Sequence, residues 1–303
     1  MREPPDGTGK RPGHTRARLR EAVAGWGLLA PSLVGIVAFL VVPICVAIGL
    51  SFYKWNLISR PRFIGFDNWV AIGTDPALLN SAVVTVVYVL LVIPAQTVLG
   101  ILLAVLLHRR LPGSAGLRAI LVLPWVCAPL ALGIVWKWIL APTDGALNAL
   151  LGTSIAWLSD PDLALPAVAF VAVWSQAGYV ALFFLAGLAA IPTSVLEAAQ
   201  LDGAGAVRTF WYVTLPLLRA TLFFVLVTST ITAFQAFDSI YALTQGGPAG
   251  ATNVVAMQIY TAAFKTFDMG RAAALAVALF IVLVLISLAQ QLYFRRRITY
   301  DLS

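Results

Sequence analysis

The residues of this chain that are best suited to specific recognition lie in one amphipathic segment, residues 191–218, which reads IPTSVLEAAQLDGAGAVRTFWYVTLPLL. Its centre has the pattern E-A-A-x-x-D-G-A, in which Gly203 follows Glu197 by six positions. Long apolar runs precede and follow the segment. A simple connector between two such runs needs only a short polar turn. We therefore expect a compact helix–turn–helix at a membrane face that forms a docking surface for a soluble partner.

Local signals predict how this segment folds. Pro192 is expected to end the preceding helix, and Ser194-x-x-Glu197 is a capping-box pattern that begins a short helix. Asp202, Gly203 and Gly205 are expected to end that helix, since glycine readily adopts the left-handed turn conformation. A second amphipathic piece then returns to the membrane. The alternative is an interfacial helix that lies on lipid, but such helices carry more basic residues on their polar face than this one.

The composition of the chain indicates a membrane protein. Its 303 residues are 60% hydrophobic and 11% charged, whereas soluble domains contain about 25% charged residues. The apolar runs are too long for the alternating strands of a membrane barrel. We therefore predict an all-α polytopic membrane protein with six transmembrane helices over residues 26–294 and with tails at residues 1–25 and 295–303. Runs long enough to cross a bilayer occupy residues 26–52, 79–107, 117–140, 163–190, 215–243 and 271–294.

Basic residues indicate the orientation of these helices. If the N-terminus is cytoplasmic, the inner segments are residues 1–25, 108–116, 192–214 and 295–303, and these segments with their flanks hold most of the 20 Lys and Arg residues. The positive-inside rule then predicts that both termini are cytoplasmic. The net charge of +7 follows from this topology and gives no reason to expect a nucleic acid partner.

Several kinds of chemistry are disfavoured because the required residues are missing. His14 and His108 are the two histidines, too few for a metal cluster. The GTGK sequence at residues 7–10 lacks the first glycine and the final Ser/Thr of a phosphate loop, and no nucleophile–base motif of an enzyme occurs. We expect no catalytic residue, no metal and no cofactor in this chain.

The supply of free energy for transport is also constrained by the sequence. Asp238 and Asp268 are the carboxylates that fall within or border the predicted helices, and this is a small supply for an ion-coupled carrier. The sequence therefore favours a transporter whose free energy is supplied by a separate protein. A self-sufficient ion-coupled carrier or channel is the main alternative, and an intramembrane enzyme is the other.

The E-A-A pattern at residues 197–204, followed by Phe210 and by Leu215-Pro216, resembles the E-A-A loop of permease subunits of binding-protein-dependent ABC importers. The resemblance extends over nearly the whole chain. Within this family the chain is similar to the carbohydrate-uptake branch, which includes the maltose-type first permease and the glycerol-phosphate permease A subunit. Gln200 stands where small or hydrophobic residues also occur, which leaves the motif intact. Five further segments fit the pattern: LLAPSLVGIVAFLVVPICVAIGLSF at 28–52, FIGFDNW at 63–69, WKWILAPTDGALNALL at 136–151, FDSIYALTQGGPAGAT at 237–252 and FDMGRAAALAV at 267–277.

This resemblance implies the type I ABC importer permease fold in a bacterial inner membrane. Its implied partners are a second homologous permease subunit, two copies of an ATPase subunit that binds ATP and Mg, an extracytoplasmic solute-binding protein and membrane lipid. It also implies that residues 192–214 couple the ATPase to the membrane helices. In that role, small residues let the backbones approach, acids contact basic groups and a glycine permits the turn. The implied coupling residues are Glu197, Ala198, Ala199, Asp202, Gly203, Ala204 and Arg208.

Polar side chains in the fourth and fifth predicted helices are candidates for the solute pathway. Buried polar groups in membranes are functional candidates by default, although Ser, Thr and Gln also hydrogen-bond between helices as ordinary packing. The candidates are Trp174, Gln176, Tyr179, Thr228, Ser229, Thr232, Gln235 and Ser239.

The helical spacing of these candidates and their resemblance to the permease family favour different residues. Thr228, Thr232, Gln235 and Ser239 are spaced to share one helical face, whereas resemblance to the maltose-type permease favours Tyr179 and Ser229. Neutral polar and aromatic groups suit a sugar or oligosaccharide. The same groups would also pass glycerol phosphate or a glycerophosphodiester, so the solute stays open.

Overall fold

The computed structural model describes residues 14–108 and 113–295, with side chains described from Gly25 onward. The predicted tails lie largely outside the described residues, as do Arg109 and Arg110. The chain forms two units, Met1–Gly49 and Leu50–Ser303.

The first unit contains a single long apolar helix. Helix α1 (His14–Ile36) continues through one π-helical turn, Val37–Val41, into α2 (Val42–Leu50), whose last residue begins the second unit. Within the 26 residues of Gly25–Leu50, an 18-residue stretch reaches a mean hydropathy of 2.9. This length suffices to cross a bilayer, because each helical residue adds about 1.5 Å and the hydrocarbon core is about 30 Å thick.

The second unit is helical apart from one short hairpin, β1 (Tyr53–Lys54) paired antiparallel with β2 (Arg62–Phe63). The helices that follow are α3 (Asp67–Thr74), α4 (Pro76–His108), α5 (Ser114–Val126), α6 (Pro129–Ile139), α7 (Ala146–Leu151), α8 (Pro161–Ala189), α9 (Thr193–Leu201) and α10 (Ala206–Thr209). A π-helical turn (Phe210–Thr214) leads into α11 (Leu215–Leu217), α12 (Arg219–Phe234), α13 (Asp238–Leu243) and α14 (Val255–Tyr260). A last π-helical turn (Thr261–Lys265) precedes α15 (Met269–Arg295).

The predicted helical membrane fold is confirmed, and two of the predicted spans are corrected. Four unbroken helices of the described residues are long and apolar enough to cross a membrane: Gly25–Leu50, Pro76–His108, Pro161–Ala189 and Met269–Arg295. The other two predicted spans correspond to bent helix pairs, α5 with α6 at 96° and Ala206–Leu217 with α12 at 67°. If each pair is one span, the described residues contain up to six.

The bend between α5 and α6 follows from a proline. Pro129 has no amide hydrogen and disfavours a helical conformation at the residue before it, and Ala128 has the extended ψ of 124°. The predicted fifth span, residues 215–243, is also interrupted. Helix α12 ends at Phe234, and α13 begins only at Asp238. An averaged hydropathy pattern does not register either break, because long apolar stretches lie on both sides of each one.

Helix α8 is the centre of the second unit, and glycines bring α4 and α5 directly against it. A Cβ at Gly100 on α4 would lie 2.5 Å from the Val180 side chain, and one at Gly178 on α8 would lie 1.8 Å from the backbone oxygen of Leu121 on α5. Small residues permit such close packing between membrane helices, where dispersion replaces the hydrophobic driving force. These approaches fix α4 and α5 on α8.

Two apolar clusters fill the second unit. The larger cluster contains Tyr88, Val92, Val168, Val171, Phe234 and Ile240, among other buried residues. The coupling-side core lies beside the segment 192–214 and contains Ala104, Leu107, Val180, Phe184, Leu185, Leu188, Ile191, Leu218 and Val225.

An ion pair connects the starts of α4 and α15. The Asp75 carboxylate accepts a hydrogen bond from the backbone N–H of Ala77 at 2.8 Å and one from the guanidinium of Arg271. The Ala77 N–H, followed by the arginine, holds the pKa of Asp75 below its usual range, because both partners favour the charged carboxylate. Nearby, the Asn68 amide donates to the carbonyl of Tyr53 at 3.0 Å, which attaches the hairpin to α3.

Candidate coupling segment and translocation cavity

The segment 192–214 forms the predicted helix–turn–helix, but its first helix begins differently from the prediction. Helix α9 starts at Thr193 with Pro192 as its cap residue, and no side chain makes a capping hydrogen bond. Ser194 therefore lies inside the first turn, one position too far along to cap it. The capping-box prediction for Ser194 and Glu197 is wrong for this reason.

The end of α9 is a Schellman motif built on Gly203. The N–H of Ala204 donates to the carbonyl of Ala199 at 3.0 Å, and the N–H of Gly203 donates to the carbonyl of Gln200 at 3.0 Å. Gly203 has a φ of +76°, the left-handed conformation that this motif requires at its glycine. The predicted turn is confirmed there. Gly205 instead has a φ of −67° and precedes α10, so it does not end α9.

The turn presents an exposed surface that is both acidic and apolar. Glu197, Ala198, Asp202 and Gly203 are exposed, and Leu201 is 89% exposed. Arg208, Trp211 and Tyr212 continue this exposed surface along the second piece.

Two alanines of the motif lie on the inner side instead. Ala199 is only 9% exposed and seats α9 on the rest of the chain. Its small side chain is therefore used within this chain. Ala204 is half-buried and lines a hollow beneath the segment together with Leu196 and His108.

A polar cavity of about 180 Å³ lies where the two helix breaks meet α4 and α8. Four of the predicted pathway residues line it, namely Gln176, Thr232, Gln235 and Ser239. Ser239 reaches the cavity from α13, beyond the break, so the prediction of one continuous helical face that includes Ser239 is wrong. The break itself carries Gln235 to the cavity wall.

The other predicted pathway residues lie elsewhere. Tyr179 stacks on Trp125 with ring centroids 4.1 Å apart and an interplanar angle of 8°, and Trp174 packs edge-on against Trp136 at 5.1 Å. Ser229 is buried at 4% exposure. Thr228 donates its hydroxyl to carbonyls of its own helix, those of Phe224 at 2.9 Å and Val225 at 3.1 Å. Trp174, Tyr179, Thr228 and Ser229 are absent from the residues that line the cavity.

Sequence reasoning missed several residues that line the cavity: Gln96, Trp125, Cys127, Ser175 and Asp238. Gln96 had a usable signal, because a glutamine inside a 33-residue apolar helix is expensive in a membrane unless it has a role. Trp125 and Cys127 had no such signal in the sequence, since they line the cavity only because the chain bends before Pro129. Within the part of the chain that the structure describes, no group of three or more His, Cys, Asp or Glu residues could hold a metal ion.

Comparison with known proteins assigns this arrangement to a family. The family model described as the binding-protein-dependent transport system inner membrane component matches residues 76–300, a range that contains both the segment 192–214 and the cavity. The chain belongs to this family. It is a permease subunit of an ABC importer, as the resemblance of its E-A-A segment predicted.

Individual relatives of this permease cover almost its whole length. It is 36% identical over 279 residues to the sn-glycerol-3-phosphate transport system permease protein UgpA of Brucella abortus, covering 90% of this chain and 95% of that protein. It is 32% identical over 261 residues to the trehalose/maltose transport system permease protein MalF of Thermococcus litoralis, covering 84% and 87%.

Among solved structures, a bacterial ABC transporter involved in the import of the acidic polysaccharide alginate matches this permease with a TM-score of 0.82. The match has 21% sequence identity and covers 94% of this chain and 100% of that chain. At this identity the likeness establishes the fold, and it agrees with the predicted importer permease architecture.

Proposed function

We propose that this chain forms one half of the translocation pathway of an ATP-driven importer. In this assembly it pairs with a second homologous permease, two copies of an ATPase subunit that bind ATP and Mg, and an extracytoplasmic protein that delivers the solute. The exposed turn between α9 and α10 is the observation that carries this proposal. It is a surface suited to a protein partner, on a chain whose sequence contains no complete phosphate loop.

The charges of this turn support a basic partner surface. Neither Glu197 nor Asp202 forms a salt bridge with another described residue; the salt bridge found there joins Asp75 and Arg271. Asp202 is the C-cap residue of α9, where the helix dipole disfavours a negative charge by about 0.3–1 kcal/mol. A carboxylate that lowers the stability of its own helix is readily explained if a cation of the ATPase contacts it.

We propose a polyhydroxylated solute for the cavity, either a sugar or oligosaccharide or a glycerol-phosphate or glycerophosphodiester compound. The amides of Gln96, Gln176 and Gln235 and the hydroxyl of Thr232 line the cavity and can each exchange hydrogen bonds with hydroxyl groups. The relatives named above include permeases of both solute classes.

The orientation follows from the same proposal. If the ATPase contacts the α9–α10 turn, that end of the second unit faces the cytoplasm. The basic residues of the sequence favour the same orientation, with both termini cytoplasmic in a bacterial inner membrane.

Reconstitution in proteoliposomes tests the assembly. The complete complex is expected to accumulate solute when ATP is supplied, and this chain alone is expected to be inactive. Solute accumulation by the chain alone under an ion gradient would instead favour the self-sufficient carrier.

A matched pair of threonine variants tests the cavity. Thr232 lines it, whereas Thr228, one turn earlier on α12, does not. Thr232→Val is therefore expected to lower solute uptake, and Thr228→Val is expected to leave uptake near the unmodified level. Equal uptake by the two variants would remove the cavity from the pathway.

A further inference from the structure

A second hollow, of about 410 Å³, lies between the ends of α4, α5 and α8. It is located at the end of the second unit that carries the coupling segment, because His108 lines both this hollow and the one beneath α9 and α10. The residues that line it are His108, Arg118, Leu182, Leu185, Ala186 and Ala189.

The walls of this hollow are held by direct packing of its three helices. Gly100 brings α4 against α8 at Val180, and Gly178 brings α8 against the backbone of α5 at Leu121. Arg118 lies one helical turn before Leu121 on α5 and lines the hollow. The hollow is therefore a built feature of the helix arrangement.

The charge of the hollow is positive, and part of it is unsatisfied. The Nε atom of Arg118 is buried and has no hydrogen-bond partner among the described residues. The residues of the described ranges 14–108 and 113–295 that line the hollow include no carboxylate. A buried guanidinium donor without a partner is costly, and an oxyanion beside the same guanidinium would offset that cost through its charge.

The remaining wall is apolar and belongs to one face of α8. Leu182, Ala186 and Ala189 follow the helical spacing that places residues on one side, and Ala186 and Ala189 are exposed. This wall gives no hydrogen bonds to a free ion. It can pack against a hydrocarbon chain that enters from the bilayer.

We propose that this hollow binds an anionic phospholipid of the leaflet beside the coupling segment. Arg118 and His108 donate hydrogen bonds to its phosphate oxygens, and the α8 wall contacts the first methylene groups of an acyl chain. Basic pockets between membrane helices recognise anionic headgroups in this way. Free inorganic phosphate shares the headgroup chemistry, but the apolar wall favours the lipid. This inference does not depend on the solute or the ATPase proposed above.

Lipid retention by the purified importer complex tests the proposal. The complex is delipidated, titrated with phosphatidylglycerol or phosphatidylcholine in mixed micelles, and analysed by native mass spectrometry. Phosphatidylglycerol is expected to be retained preferentially. Arg118→Gln is expected to weaken its retention about five-fold, which corresponds to the ~1 kcal/mol that one basic residue contributes to binding anionic lipid. The matched control is Arg219→Gln, because Arg219 is an exposed basic residue outside the hollow.

A second variant tests the acyl-chain wall and keeps both basic residues. Ala186→Trp fills the groove from an exposed position, so it is expected to lower lipid retention without altering the core. Equal effects of the Arg118 and Arg219 variants would indicate diffuse attraction and overturn the proposal. Displacement of the lipid by an equal concentration of inorganic phosphate, unchanged retention by Ala186→Trp, or no lipid on the intact complex would overturn it as well.

Discussion

Substitutions of Gly203 should distinguish whether the coupling turn needs a particular backbone conformation or close contact with its partner. Gly203 has a φ of +76°, and a Cβ built there meets nothing within 4 Å in this chain. The cost of a side chain within the permease is therefore the cost of the left-handed backbone alone. That cost is about 1–2 kcal/mol for an ordinary L-residue, whereas asparagine visits this conformation readily.

These energies predict a graded series of variants. A cost of 1–2 kcal/mol lowers the population of the correct turn roughly 5- to 30-fold, since 1.4 kcal/mol is a factor of ten. We expect Gly203→Asn to remain close to the unmodified protein, Gly203→Ala to fall near the lower end of this range, and Gly203→Val to be the most impaired, because β-branched residues tolerate a positive φ least. Loss of the turn also removes the two hydrogen bonds that the Schellman motif contributes.

The measurement is solute-stimulated ATP hydrolysis beside solute uptake, in proteoliposomes that contain the whole importer. The amount of inserted permease serves as a control and is expected to stay constant, because the turn is exposed. If Gly203→Asn were as inactive as Gly203→Val, the partner would be excluding any side chain, and the reasoning from backbone conformation would be refuted. If all three variants retained normal ATPase stimulation, the segment would have no coupling role.

Three further substitutions test other parts of the structure. Glu197→Lys reverses an exposed charge and should lower ATPase stimulation more than the neutral Glu197→Gln; equal stimulation by the two would contradict a basic partner surface. Asp75→Asn should lower the free energy of unfolding by about 0.5–1 kcal/mol at neutral pH, because its ion pair is partly exposed. Since folding lowers the pKa of Asp75, its contribution is present above the ordinary carboxyl pKa and is lost as the pH falls through that value towards the folded one. Thermal unfolding at neutral and acidic pH should therefore differ less in the variant than in the unmodified protein. Gly178→Ala places a Cβ against the Leu121 backbone oxygen, where overpacking costs about 1–3 kcal/mol, so its unfolding temperature should fall; the control Gly205→Ala, with open space around it, should not change it.

The sequence predicted the helical membrane fold and the four unbroken membrane helices well, because crossing a bilayer requires long apolar runs whatever their detailed packing. It did not predict the breaks, since those depend on the missing amide of Pro129 and on backbone angles around Gln235. Side-chain placement was only partly predictable. Helix α8 is apolar on all sides, so spacing alone could not indicate that Gln176 faces the cavity while Tyr179 stacks on Trp125 from another helix. The E-A-A motif likewise does not indicate that Ala199 faces inward.

The two helix breaks beside the cavity also affect how thick the low-dielectric layer is that prevents ions from crossing the membrane. Each break leaves backbone amide and carbonyl groups without helical partners, and at membrane depth such groups are tolerated only within protein or beside water. The polar cavity can therefore admit water partway through the bilayer, which thins the layer of low dielectric along this route. Within this chain, we expect the barrier against leaking ions to depend on the coupling-side core, where Phe184 and Leu218 are almost completely buried. A polar substitution in that core is a defect in electrical insulation as well as in packing.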